Sequence, residues 1–341
     1  MSFNSSQFIT INPSYIEPQL LLPYSQKSGA FELLAGGNPS VKLSEGDLQV
    51  YIKTLQLRTE NAAGQSAYQE IPSCTVSTQL ISTPTYIFRS QALYNHHDTR
   101  SAGVWNVSLP EAERLAMRQS IFQQMRAALL YGMSPANGEG IVNTQGATAV
   151  TLPPDTNGNT TVMTYDNGQM AIFLLQQIVN VQIAAFQLGI PQKVVITGPQ
   201  RTLGYMIQVG IVQLTSYQRP GGGTMTTAQL VKEINEEWDN EIFYSFDDTL
   251  IGKGSGGTDM VIVTIPELKV ADGAEPNTNE FAKLQPGLLT NNMQYVDMPA
   301  PREIYSGTMP QGFTHVTSEL RSTSGWTLRP ELLVLLSMQY Q

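Results

Sequence analysis

The amino-acid sequence predicts an α+β protein in which one long helix separates extended N-terminal segments from a compact body. Three observations carry this. Residues 108–132 have the period of a long amphipathic helix. The residues before it either alternate like strands or have no steady period, and the residues after it are short apolar runs and helical stretches separated by glycine-rich turns.

The helix reads SLPEAERLAMRQSIFQQMRAALLYG. Ser108 stands where an N-cap belongs, and Glu111 follows at capping-box spacing. Pro110 is tolerated because first-turn N–H groups lack helical acceptors. Leu115, Ile121, Phe122, Met125, Ala128 and Leu129 form the expected apolar face, with Arg114, Arg118, Gln119 and Arg126 largely off it. Gly132 ends the helix and Pro135 blocks a restart. At ~1.5 Å rise per residue it spans roughly 35 Å, the width of a small domain.

Taken from the start, residues 1–47 form an extended arm. Pro13, Pro18, Pro23 and Pro39 and the Gly36–Gly37 pair break any long helix, while Leu20–Leu22 and Phe31–Leu34 are too apolar for a disordered tail. Residues 48–58 alternate as a strand, Asn61–Gly64 is a turn cluster, and Cys74 to Phe88 alternates back, giving a long hairpin over about 48–90. A two-stranded ribbon is marginal alone in water, so this hairpin implies a partner surface. The same pattern also fits two strands of an internal sheet.

After the long helix, residues 140–165 predict short strands around the Asp155–Asn159 turn. Asp166 then caps a helix, with Gln169 at the third position and Gly189 and Pro191 closing it. Lys193–Thr197 is a buried strand, Leu203–Leu214 a helix, and 218–224 a loop. Thr226 caps a helix to about Asp239, with Leu230, Ile234 and Trp238 inward. Ile242–Phe246 and Met260–Ile265 are strands, 267–294 is irregular, and Trp326–Tyr340 is a terminal strand. No internal repeat is visible.

Composition narrows the function. The 341 residues are 41% hydrophobic but only 14% charged, well under the usual quarter, so the surface is built from Gln, Asn, Ser and Thr. Such a surface repels copies of itself weakly. A net charge of −9 without a basic run argues against gripping a nucleic-acid backbone, though not against enclosing one. The single cysteine, Cys74, excludes an internal disulfide and fits folding in a reducing cytoplasm. The N-terminus lacks a signal-peptide pattern. Gly168–Gln192 is uncharged, but Gln169, Gln176, Asn180 and Gln187 make one polar stripe, so it reads as a half-buried helix rather than a membrane span.

Catalytic patterns fall short. Gly252–Gly257 (GKGSGG) lacks the phosphate-loop frame and precedes a strand, so a hairpin loop is expected. Ser255 does not stand in a nucleophile-elbow frame. His96, His97 and Asp98 are the densest metal-capable set, but adjacent histidines on extended backbone point to opposite faces, and the only other histidine is His315. Asp247, Asp248, Glu236, Glu237 and Asp239 read as solvated carboxylates. No catalytic, cofactor or metal site is expected.

In the order of its parts the chain resembles a tailed-bacteriophage major capsid protein of the Hong Kong 97-like fold. Residues 1–47 resemble that family's N-arm, and 48–104 its extended loop and connection. Ser108–Gly132 resembles the spine helix of a peripheral domain over 105–165, and GIVNTQG (Gly140–Gly146) the glycine-rich segment after it. Residues 166–298, with KVVITGPQ, resemble the axial domain, and 299–341, ending GWTLRPELLVLLSMQY, the return to the peripheral domain.

The resemblance implies a shell of pentamers and hexamers enclosing double-stranded DNA without sequence-specific binding, with the extended loop lying over an adjacent subunit. It implies a portal, a scaffolding protein and a decoration protein as possible partners, and no membrane. Two departures matter. No long charged helical scaffolding segment precedes the arm, so a separate scaffold, or none, and no large cleaved prodomain are expected. Lys53, the only lysine of the loop, lies far from its tip, so no covalent lysine–asparagine crosslink is expected. Two alternatives remain: an encapsulin-like compartment shell, and an enzyme using Asp247, Asp248 or His96.

Overall fold

The computed structural model describes residues 34, 43–44, 46–58, 75–104, 108–185, 192–208, 211–212, 225–236, 240–269, 291–294, 301–309 and 312–341. Nearly all of the expected arm, the hairpin tip with Cys74, Gln187, Glu237, Trp238 and Asp239 lie outside them.

In chain order, β1 (Gln49–Arg58) and β2 (Thr75–Asn95) lead into α1 (His96–Val104) and the long α2 (Leu109–Tyr131). Next come β3 (Thr148–Thr151), α3 (Asn167–Ala184), β4 (Lys193–Gly198), α4 (Gln200–Gln208), β5 (Ile211–Val212), β6 (Met225–Thr226) and α5 (Thr227–Glu236). The chain ends with β7 (Glu241–Phe246), β8 (Asp259–Thr264), β9 (Met293–Gln294), β10 (Arg302–Thr308), β11 (Phe313–Thr323), β12 (Trp326–Thr327) and β13 (Leu333–Met338). Helices and strands are mixed along the chain, as the α+β expectation has it.

The core is a five-stranded mixed sheet in the order β3-β13-β8-β4-β7. Its three central strands are mostly apolar and almost wholly buried because helices or strands cover both faces. Val194, Ile196, Val261, Val263, Val334 and Leu336 pack with Phe173, Leu174 and Ile178 of α3 and Leu203 of α4. The alternate residues, Val195, Met260, Ile262, Leu333 and Leu335, face the other way and pack with Ile121, Met125 and Leu129 of α2. At ~1.5–3 kcal/mol for each fully buried large side chain, these two clusters dominate the favourable side of folding.

The second sheet has the order β1-β2-β11-β10 and is antiparallel throughout. β2 is 21 residues long and is shared lengthwise. Thr75–Pro84 pairs with β1, and Thr85–Asn95 pairs with β11. The predicted hairpin therefore exists, but β2 runs on to Asn95 and is held by a third strand. Sequence reading missed β10 and β11 altogether.

Other local expectations need correction. Ser108 occupies the N-cap of α2, yet its side chain makes no capping bond. A cap serves the N–H of the second or third helical residue, and here the second is Pro110, which has none. The buried stripe of α2 is Met117, Ile121, Met125, Ala128 and Leu129, so Leu115 points out and is 54% exposed. The phase is set by β2 and β11, where Met117 meets Ala92 and Val316. Arg114 reaches Glu303 of β10 at 3.2 Å on the flank.

α3 begins as expected, with the Gln169 N–H donating to Asp166 Oδ1 at 2.9 Å, but the Gln169 side chain bonds Thr156 rather than closing the box. In contrast, Thr226 and Gln229 make both bonds of a capping box at the start of α5. The predicted helix over Leu203–Leu214 starts earlier and ends at Gln208, giving way to β5. Gly252–Gly257 is no hairpin loop: it carries the chain from β7 past β4 to β8, with positive φ at Gly252, Gly256 and Gly257. The terminal strand is two strands, β12 and β13, separated by a 3-10 turn at Pro330–Leu332.

Candidate interaction surface

The exposed ribbon is built from the register of β1 on β2. Tyr51 opposes Ser82 and Lys53 opposes Leu80, so all four share one face of the sheet. Along β2 that same face carries Phe88 and Ala92, which are buried as part of the α2 contact. Nothing among the described residues buries it farther out. Tyr51 and Leu80 are diagonal neighbours, each 61% exposed. The period of a core-facing strand thus continues after the core has ended. On the opposite face, Leu48 is exposed, whereas Ile52 and Thr83 are buried.

The root of the ribbon is pinned. The Thr85 N–H donates to Leu48 O at 3.1 Å, and Asp47 O accepts from Thr85 Oγ1 at 2.8 Å and from Arg321 Nη1 at 2.6 Å. The shared part of the sheet offers a second open face. Ile87, Leu93, Tyr305 and Phe313 are exposed there between polar pairs, Arg89 with Glu319 at 3.0 Å and His315 with Gln91 at 3.2 Å.

A buried joint holds this sheet to the spine. Glu139 is buried and accepts from Tyr86 Oη at 2.9 Å and from the Ser134 N–H at 3.0 Å. Burial, and then the bond to the Glu139 carboxylate and its charge, push the Tyr86 phenol up to about 12. Asn143 donates to Tyr131 O at 2.6 Å, closing the end of α2, and the Gly140 N–H donates to Gly325 O at 2.7 Å. This is where the glycine-rich GIVNTQG segment sits. Its glycines let three backbones cross at close range.

A second joint lies over the core sheet. Asp259 is buried and is held by Arg201, whose Nε donates at 2.7 Å, by the Thr202 hydroxyl and by the Gly252 N–H at 3.2 Å. Burial pushes the Asp259 carboxyl up, but the Arg201, Thr202 and Gly252 bonds outweigh it and hold it below the usual carboxylate range. A depressed folded value stabilises the fold at pH above the ordinary carboxylate value near 4, and that stability is lost as pH falls through the folded value. Asp259→Asn should cost about 1–3 kcal/mol by replacing a buried charged acceptor of the Thr202, Gly252 and Arg201 donors, measured by urea unfolding at pH 7, and should flatten the acid limb of the stability–pH curve.

The sequence-predicted chemical residues are scattered. His96 and His97 begin α1 rather than lying on extended backbone, so their rings are tilted together with centroids 3.7 Å apart instead of on opposite faces. His315 is on β11, across the sheet from Gln91. Among the described residues no three His, Cys, Asp or Glu side chains come together as a metal-binding group. Asp247 is buried, not solvated: its Oδ1 accepts from the Thr249 N–H at 2.9 Å and from the Thr249 hydroxyl at 2.7 Å. It caps a 3-10 turn that the packing of Leu250 draws into the core. Asp248 accepts from the Gln200 N–H at 2.9 Å. Both carboxylates hold backbone in place.

Glu236 lines a shallow cleft of about 220 Å³ with Lys232, Asn235, Asn240, Glu241, Ile242 and Phe243. That is under the usual ~300–1,000 Å³ of a small-molecule site, and its Lys232 and Glu236 pair with each other at 3.3 Å on the exposed side of α5. Ser255 donates its N–H to Ser337 Oγ in a turn. No helix among the described residues is long and apolar enough to cross a membrane.

An arrangement of two sheets, one long helix and a projecting ribbon like this one is shared with solved phage capsid chains. The capsid of Myoviridae phage XM1 superposes with a TM-score of 0.66 at 12% identity, covering 95% of this chain and 96% of that one. A structure from Gordonia phage Cozz gives 0.56 at 14% identity over 97% and 92% of the two chains. The capsid of the cyanophage P-SCSP1u gives 0.52 at 11% identity over 96% and 93%. The sequence itself matches no protein-family model. No curated protein matches it either. The likeness therefore lives in the layout of elements, as the sequence resemblance did.

Proposed function

We propose that the chain is a major capsid protein of the Hong Kong 97-like type, assembling through pentamers and hexamers into an icosahedral head shell around phage double-stranded DNA. The observation that carries this is the β1–β2 ribbon, which exposes Tyr51 and Leu80, beside Lys53 and Ser82, on a face with no cover among the described residues. A neighbouring copy would supply the cover, and many modest contacts of this kind sum in a closed shell. The near-complete overlap with capsid chains supports the same reading.

In this reading 1–47 is the arm, 48–104 the extended loop and its connection, and 105–165 the peripheral domain around the spine. Residues 166–298 are the axial domain, and 299–341 return to the peripheral domain. The protein acts as a structural subunit of the virion, without catalytic, cofactor or metal residues. It is assembled in the host bacterial cytoplasm, with a separate scaffolding protein, a portal and a decoration protein as expected partners.

Electron microscopy of the purified chain, alone and with its scaffold, tests the proposal. Angular shells are the expected result, and persistent monomers would count decisively against it. Shells filled with a cargo protein instead of DNA would favour the encapsulin-like alternative. On a denaturing gel the particles should run as single-subunit bands, since Lys53 opposes Leu80 within the ribbon rather than standing at its tip. A ladder of higher masses would overturn the expectation of an uncrosslinked shell.

A further inference from the structure

One apolar patch of the N-terminal arm has a place in the body. Phe31–Leu34 is the last such patch before the ribbon, set off from it by Gly36, Gly37 and Pro39. Leu34 is the described residue of that patch. It is 1% exposed and ranks with Ile121, Met125 and Leu129 among the largest fully buried side chains. It belongs to the cluster on the α2 side of the core, with Phe88 of β2, Ile121 and Met125 of α2 and Leu320 of β11. The ribbon sheet and the long helix therefore do not complete their shared core alone: a side chain from ahead of both fills part of it.

Farther along, the same stretch is held a second time, where Asp47 O accepts from Thr85 Oγ1 and Arg321 Nη1. Loop-closure entropy grows only slowly with length, so burying one large apolar side chain suffices to offset closing so short a loop. The cover over Leu34 comes from its own chain, so the seat is filled without a neighbour. We infer that Leu34 is an anchor fastening the N-terminal arm to its own subunit, between β2, β11 and α2. The stretch from Leu34 to Asp47 then belongs to the body, and residues 1–33 lie beyond the anchor. The competing source of the same side chain is the arm of a second copy, seated by exchange. The inference concerns the single chain and is read on dispersed protein, so it stands or falls apart from the shell reading.

Limited trypsin digestion of the dispersed full-length chain tests it, with Leu34→Ala, Leu34→Asp and Leu34→Met beside the parent. Lys42 lies between the two points of attachment, and Lys193 of β4 reports opening of the core sheet. Leu34→Ala should lower the melting temperature by about 4 °C or more, because a large buried side chain is cut back to a methyl group. It should also speed cleavage after Lys42 at least about tenfold, with much less change after Lys193. Leu34→Asp should do the same more strongly, and Leu34→Met, which keeps the volume, should stay close to the parent on both readouts. Alanine and aspartate variants that melt and cleave like the parent would overturn the inference. So would cleavage in Leu34→Ala that rises equally after Lys42 and Lys193, since Leu34 would then hold the whole core and not the arm. Dilution separates the two sources of the side chain. Slow cleavage after Lys42 that is unchanged on hundredfold dilution is the expected result, and protection that is lost on dilution would assign the seat to the arm of another copy.

Discussion

Gly140→Ala is expected to cost the fold about 4 kcal/mol or more, enough to abolish a cooperative native transition in a urea titration followed by near-ultraviolet circular dichroism. Gly140 has φ of +86°, which an L side chain rarely adopts. A Cβ there would also stand 2.6 Å from Tyr131 C and 2.8 Å from Leu130 O, both backbone atoms that cannot swing aside. The joint beneath it links Gly325 to the spine, and the Cβ of an alanine at 325 would strike Leu129 O. Strain and overlap therefore act together at the point where spine, sheet and terminal strand meet. An alanine variant with unchanged unfolding would show that the three backbones are not in contact there.

The second large effect is on assembly rather than folding. Tyr51→Asp combined with Leu80→Asp should leave the melting temperature of the dispersed chain nearly unchanged, since both side chains are already mostly in water. The same pair should abolish shells. Each of those side chains gives ~1.5–3 kcal/mol when covered, and a closed shell repeats that contact in every subunit. Particle yield by sedimentation reads the result; normal yield from the double variant would remove the ribbon from the interface.

How much was legible in the sequence follows from how local each signal is. α2, the hairpin, the start of α3, β4 and β8 announce themselves through periodicity or caps within a dozen residues. The β10–β11 pair does not, because its inward positions include Ser318 and Ser322 beside Val316 and Leu320, so apolar and polar faces hardly contrast. The run Thr314–Thr317 after Gly312 was the signal available. The phase of α2 was blurred by Leu115, an apolar residue on the wrong side, and only contact with Ala92 and Val316 decides it. Partners far apart in the chain were out of reach: Tyr86 with Glu139, 53 residues away, and Arg201 with Asp259, 58 away. The proposed interaction surface was legible as a long hairpin, because two strands with little core of their own need a further surface to lie on.

The central claim is that the ribbon gains its stability from another copy of the chain. Amide hydrogen exchange over residues 49–58 and 75–84, compared between dispersed chain and assembled particles, tests it directly. A ribbon pinned only at its root should exchange quickly in the dispersed chain, while β8 and β13 stay protected, and should become strongly protected on assembly. Ribbon amides as protected in the dispersed chain as in the particle would contradict the account.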